Sequence, residues 1–277
     1  MILNPFSYSA PETIEEAVSL LGEPGSELFT GDQAYVGSAK RGISKPEALI
    51  SLRNVAGLNS VIQYGNQLEI GSAVTFAAML QDSAVCSVPV LAEALKAVKD
   101  PHFKNHSNVG GALHHNTPAH GPVLAAFLAL EGKVNVTGSL GDRQILLENY
   151  LSEGGIGKGE IVRSISLTIN TSLSGSFHFI DYLKAGKIIC GVAVLISSND
   201  NVISQISITA CGCVTVPTRL KNLENSLTGI QISKENIHAA LNELSGEDLA
   251  ITNTFISNPS YLLHLLKVLI KRAVWKS

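Results

Sequence analysis

The chain has 277 residues, of which 45% are hydrophobic and 16% are charged, and its formal net charge is −3. This length is enough for two or three compact units, and without a basic stripe no nucleic-acid partner is expected. The longest apolar segment, 261–270, is too short to span a bilayer. The N-terminal residues lack the pattern of a secretory signal, so a cytoplasmic protein is expected.

The N-terminal part of the chain predicts a small β/α layer. Thr13 and Glu16 match a capping box, and the apolar residues that follow recur at helical spacing. Short strands are predicted at 28–30 and 48–52. Residues 1–55 are therefore expected to form the first of three domains.

A second domain is expected over residues 56–170. Between its helices, the segment from His102 to Pro122 carries two adjacent glycines and predicts a long loop. The run 123–130 is almost wholly apolar and predicts a buried helix. The predicted strands of this domain are 67–70, 133–137 and 161–169.

The C-terminal part, 171–277, predicts a third domain of a different kind. Three strand candidates, 177–183, 188–196 and 202–210, are joined by short connections, which favours an antiparallel meander. Helices are predicted at 234–244 and 259–272.

Motifs for nucleophilic or metal chemistry are missing from the sequence. It has neither a Gly-x-Ser-x-Gly elbow nor a phosphate loop. Five of its eight histidines lie between His102 and His120, in no spacing typical of metal ligands. Four cysteines, two of them in an apolar strand pattern, do not suggest an iron–sulfur site. No metal is expected.

Two glycine-bearing turns are the remaining candidates for a binding site, at Thr30–Ala34 and Asn108–Ala112. Glycine lets backbone N–H groups approach a diphosphate, and successive N–H groups form an anion-binding concavity. The pair is therefore a candidate for gripping one elongated cofactor from two sides. The alternative interpretation is that each glycine only serves a tight turn.

Several segments, in the right order along nearly the whole chain, resemble the FAD-binding medium subunit of molybdenum hydroxylases, the family of xanthine and carbon monoxide dehydrogenases. These segments are Phe6–Tyr8, Glu15–Ala17, Thr30–Tyr35, Pro46–Leu52, Leu68–Thr75, His102–Leu113, Gly159–Val162, Gly191–Val194 and Val214–Arg219.

The resemblance implies an α+β fold of the vanillyl-alcohol-oxidase or PCMH type, in which two subdomains hold FAD. It also implies a C-terminal domain with a three-stranded antiparallel sheet and helices. A molybdopterin-binding large subunit would oxidise the substrate, and a 2Fe-2S small subunit would pass the electrons to FAD and on to an acceptor. The chain is thus expected to work in a hetero-oligomer.

The resemblance also assigns site residues. Ile161 or Val162 is expected to pack near the flavin ring, and Lys184 is expected to supply positive charge near it. No residue is expected to act as a catalytic acid or base, because the flavin carries out the redox chemistry. The diphosphate is expected to be held by the backbone of Thr30, Gly31, Asp32, Gln33, Ala34, Asn108, Val109, Gly110, Gly111 and Ala112.

The sequence departs from the family's pattern within the flavin loops. Asp32 replaces the second glycine of the first loop, and Ala34, Ala112 and Gly121 stand where the family has polar residues. Two functions stay open: an FAD-dependent electron relay, and a structural or assembly subunit with weakened or lost FAD binding. A stand-alone flavin oxidase is disfavoured, because no base or flavin-attachment motif is evident. If Asp32 faces the diphosphate, Asp32→Gly should tighten FAD binding.

Overall fold

The computed structural model describes residues 5–182, 188–246, 249–251 and 258–276. The strands are β1 (Ser7–Ser9), β2 (Ser26–Phe29), β3 (Ala48–Ser51), β4 (Val61–Tyr64), β5 (Gln67–Gly71), β6 (Lys133–Gly138), β7 (Gly141–Leu146), β8 (Glu160–Thr168), β9 (Ser174–Asp181), β10 (Ile188–Asn199), β11 (Val202–Cys211) and β12 (Thr218–Arg219). The helices are α1 (Ile14–Leu21), α2 (Gln33–Lys40), α3 (Phe76–Met79), α4 (Ser83–Cys86), α5 (Pro89–Ala97), α6 (Pro101–His106), α7 (Val109–His115), α8 (Gly121–Ala129), α9 (Leu147–Ser152), α10 (Lys221–Leu227), α11 (Lys234–Glu243) and α12 (Pro259–Lys276).

The first of two compact units comprises the described parts of Met1–Ala84, Asp100–Thr117 and Gly132–Thr168. It contains a parallel sheet in the order β1-β3-β2 and an antiparallel sheet in the order β4-β5-β8-β6-β7. Ala17 of α1, Ile50 of β3 and Ile161 of β8 share one buried apolar cluster. The predicted α+β character is confirmed in this unit, and the predicted strands lie within a residue or two of those observed.

The segment from His102 to Pro122 is not the long loop that its glycines predict. It contains α6, α7 and the start of α8. Asp100 accepts the N–H of His102 at 2.9 Å, and Pro101 occupies the first helical position, so α6 has a strong start. Asn108 caps α7 in the same manner. The loop prediction was wrong because these caps outweigh the low helix propensity of two glycines.

The second unit comprises the described parts of Val85–Lys99, Pro118–Glu131 and Ile169–Ser277. Its sheet has the order β12-β11-β10-β9, and β9, β10 and β11 form the predicted antiparallel meander. The sheet has four strands rather than the predicted three, because Thr218 and Arg219 extend its edge by pairing with Ala210 and Thr209. The predicted buried helix is α8, and all nine of its residues are buried.

Helices α5 and α8 belong to the second unit, although they lie within the predicted second domain in sequence. The units are therefore not continuous stretches of chain, and the division at residues 55 and 170 stays a prediction. None of the helices in the described ranges has both the length and the apolar composition that crossing a membrane requires.

Candidate functional site

The first glycine-bearing loop connects β2 to α2 within the first unit. Gly31 has a φ of +91°, which favours glycine, and a Cβ there would meet nothing within 4 Å. Asp32 then caps α2, and its Oδ1 accepts the N–H of Ala34 at 2.6 Å. The loop thus exposes the backbone of Gly31 to open space directly before a helix N-terminus.

The second loop leads into α7, also within the first unit. Asn108 caps this helix, and its Oδ1 accepts the N–H of Gly111 at 2.8 Å. The N–H of Gly110 is donated to the carbonyl of Ser72 at 2.7 Å, and that of Val109 to the carbonyl of Val74 at 3.2 Å. The first-turn donors of α7 therefore already have acceptors within the chain.

The two predicted loops lie against each other. Asn108 donates from Nδ2 to the carbonyl oxygen of Thr30 at 2.8 Å, so one buried side chain caps α7 and ties down the first loop. A Cβ on Gly110 would lie 3.3 Å from Cγ2 of Thr30 and 3.2 Å from Cβ of Ser72. Loops 78 residues apart in sequence thus form one structure.

Asp32 lies close over Gly111 of the second loop. Its Cβ and Cγ lie 2.4 Å from the position of a Cβ on Gly111, and its Oδ2 lies 2.6 Å from that position. No side chain fits on residue 111 while Asp32 is in place. Asp32 is only 1% exposed, so its carboxylate is enclosed between the first loop and α7.

Ser72 is a residue of this region that the sequence reasoning did not select. It is fully buried, and its hydroxyl has no hydrogen-bond partner among the residues that the structure describes. The signal in the sequence is weak, because Ser72 only follows Gly71 directly after the predicted strand 67–70. Its hydroxyl is a polar group beside the glycine loops that can still take a partner.

The remaining predicted site residues lie outside the two glycine-bearing loops. Ile161 is fully buried in the core of the first unit, and Val162 is 7% exposed and pairs with Val136 on β6. Lys184 lies outside the described residues. Gly121 opens α8 in the second unit, where a Cβ would make an ordinary 3.5 Å contact with Cys211. The roles predicted for Ile161, Val162 and Lys184 near a flavin ring stay predictions.

A separate cavity of about 450 Å³ lies in the first unit. Its walls include Tyr35, His114, Asn116, Tyr150 and the glycine-rich segment 154–160, whereas none of the predicted diphosphate-binding residues lines it. Burial raises the pKa of Tyr150 to about 12, which keeps its phenol neutral. The buried Oδ1 of Asn116 has no hydrogen-bond partner among the described residues.

Comparison with known families identifies the family to which the chain belongs. Residues 4–167 match the family described as the FAD binding domain in molybdopterin dehydrogenase. Residues 188–276 match the CO dehydrogenase flavoprotein C-terminal domain. The chain belongs to this family of FAD-binding medium subunits, whose members are oxidoreductase subunits with FAD as cofactor.

Individual relatives agree with this assignment. The chain is 27% identical to the nicotine 6-hydroxylase medium subunit of Paenarthrobacter nicotinovorans, over 99% of this chain and 98% of the relative. It is also 27% identical to the carbon monoxide dehydrogenase medium chain of Hydrogenophaga pseudoflava, over 87% and 86%.

Solved structures show the same fold. A carbon monoxide dehydrogenase structure from Hydrogenophaga pseudoflava superposes with a TM-score of 0.91 at 23% identity, covering 100% of this chain and 99% of that one. Quinoline 2-oxidoreductase from Pseudomonas putida 86 gives a TM-score of 0.90 at 22% identity, over 100% and 98%. The predicted fold class is confirmed.

The two loops lie together and the backbone of Gly31 is open, as a diphosphate site requires. The first-turn N–H groups of α7 already have acceptors, however, and Asp32 places a carboxylate at the junction of the loops. A diphosphate and a carboxylate are both anions, and they repel each other strongly when water is excluded. Asp32 also accepts the N–H of Ala34, one of the donors predicted to hold the diphosphate. It is therefore the predicted loop residue whose chemistry opposes the family's cofactor.

Proposed function

We propose that this chain is the flavin-carrying medium subunit of a molybdenum hydroxylase and relays electrons from a 2Fe-2S small subunit to an acceptor. A molybdopterin-binding large subunit would oxidise the substrate. The redox chemistry of the relay comes from FAD when it is bound. The observation that carries the proposal is the convergence of Thr30–Ala34 and Asn108–Ala112, tied by the Asn108–Thr30 hydrogen bond, in a chain of this family.

The chain's own residues would bind and orient the cofactor. The open backbone at Gly31 would meet the diphosphate, Asn108 would hold the two loops at a fixed separation, and Ile161 or Val162 would pack near the ring. None of them exchanges a proton with a substrate. We also propose a cytoplasmic complex, because the four cysteines of the sequence do not suggest a disulfide framework of the kind found in secreted proteins.

The second candidate is a structural or assembly subunit of the same fold with weakened or lost FAD binding. The position of the Asp32 carboxylate over Gly111 specifically favours it. In that case the loops would close on each other without a cofactor, and the chain would serve to hold its partner subunits together.

An absorbance experiment separates the two candidates. The chain is purified with its partner subunits, and the flavin bands near about 370 and 450 nm are recorded with and without added FAD. Chemically reduced 2Fe-2S subunit is then mixed with the flavin-loaded chain under anaerobic conditions. Bleaching of the flavin band supports the relay. A complex that assembles but cannot be loaded with FAD would establish the structural candidate.

A further inference from the structure

We propose that the Asp32 carboxylate acts as an internal anion that competes with the diphosphate of FAD, so that this chain holds its cofactor weakly and exchangeably. The proposal rests on the proposed function and deepens it. It concerns how tightly this chain binds FAD, and it assigns the weak binding to a single residue.

The carboxylate lies where the two loops meet. Its Oδ1 is 2.6 Å from the N–H nitrogen of Ala34, on the first loop. Its other oxygen is 2.6 Å from where a Cβ of Gly111 would be, on the second loop. At 1% exposure it is shielded from water. An anion that approached both loops would therefore meet the Asp32 carboxyl group at their junction.

Asp32 also does structurally what a bound anion would do. Helix N-termini favour negative charge, and the carboxylate supplies it at the start of α2 while satisfying one of the helix's first donors. The fold is thus complete without a ligand anion at this position. For the diphosphate to reach the N–H of Ala34, the Asp32 side chain must leave its cap.

Charge and shape are separable by substitution. Asp32→Asn keeps nearly the same shape and a good cap while removing the negative charge. Asp32→Gly removes the side chain and uncovers Gly111. The matched control is Asp100→Asn, since Asp100 caps α6 of the same unit and accepts the N–H of His102 at 2.9 Å.

The test is a set of binding titrations on the full chain with three probes: FAD, ADP and lumiflavin. FAD and ADP carry a diphosphate, whereas lumiflavin has only the ring. Flavin binding is followed by fluorescence and ADP binding by calorimetry. Asp32→Asn should raise the affinity for FAD and for ADP by about 10- to 100-fold, because like charges that share a dry site repel strongly. Lumiflavin affinity should change less than 2-fold, and Asp100→Asn should behave as wild type.

Two results would overturn the proposal while leaving the relay intact. One is an equal, measurable FAD affinity in wild type and Asp32→Asn. The other is an increase in lumiflavin affinity as large as the increase in FAD affinity, which would mean that the substitution acts on the site of the flavin ring. If no variant binds FAD, with folding verified by circular dichroism, both this proposal and the proposed relay fail.

Discussion

At the scale of single residues, Asp32 and Gly111 constrain each other, because the Asp32 side chain occupies the space that a side chain on residue 111 would need. Gly111 lies in α7 without a positive φ, so its lack of a side chain serves the close approach of Asp32 rather than the backbone conformation. Gly111→Ala should lower the free energy of unfolding by about 2–3 kcal/mol, because the new methyl group overlaps Asp32. Urea unfolding of the purified chain measures this loss.

The effect of Gly111→Ala on the free energy of unfolding should change sign once the Asp32 side chain is removed. In an Asp32→Gly background no side chain opposes the methyl group, and alanine in a helix is favoured over glycine by up to about 1 kcal/mol. The double-mutant cycle therefore has a large coupling energy. If Gly111→Ala costs as much in both backgrounds, the contact with Asp32 does not explain the glycine.

At the scale of elements, Asn108 connects a helix to a loop. It caps α7 through Gly111 and bonds the carbonyl of Thr30, and it is 1% exposed. Asn108→Ala should cost about 2–4 kcal/mol of unfolding free energy, because it leaves two buried groups without partners. Ser233→Ala, at the exposed cap of α11, should cost only about 1 kcal/mol. Equal losses in the two variants would show that the link to Thr30 adds nothing.

The elements also show what the sequence could predict. Helices and strands with strong periodicity, such as α1, α8 and the meander strands, follow from local patterning. Helices α6 and α7 were missed because their caps, Asp100 and Asn108, stand in a segment rich in histidines and glycines. Its two adjacent glycines have low helix propensity and predict a loop. Strand β12 has two residues and depends on pairing with β11, which a local pattern does not reveal.

The sequence could predict the two loops of the candidate site but not the contacts between them or the directions of their side chains. Glycine patterns and the family resemblance selected Gly31, Gly110 and Gly111. They did not show that Asp32 turns inward, because the direction of a side chain at a helix cap depends on tertiary packing. Ser72 was missed for the same reason: it lies beside Gly110, which is 38 residues further along the chain.

At the scale of the whole molecule, the division into two units predicts an uneven response to alkaline pH. Burial raises the pKa of Tyr150, in the first unit, from an ordinary value of 10.0 to about 12. Above pH 10.0 the unfolded chain loses this phenolic proton while the folded chain keeps it. The stability that the neutral phenol contributes is therefore fully present below pH 10.0 and is lost as the pH rises towards 12.

The expected loss from Tyr150 is on the order of 2–3 kcal/mol between these pH values. Trp275, the single tryptophan, lies in the second unit, so its fluorescence reports that unit, whereas far-ultraviolet circular dichroism reports both. Urea unfolding at rising pH should show the dichroism midpoint falling before the fluorescence midpoint. Tyr150→Phe has no proton to lose, and its dichroism midpoint should depend less on pH. If the variant and the wild type lose stability in parallel, the alkaline sensitivity does not arise from Tyr150.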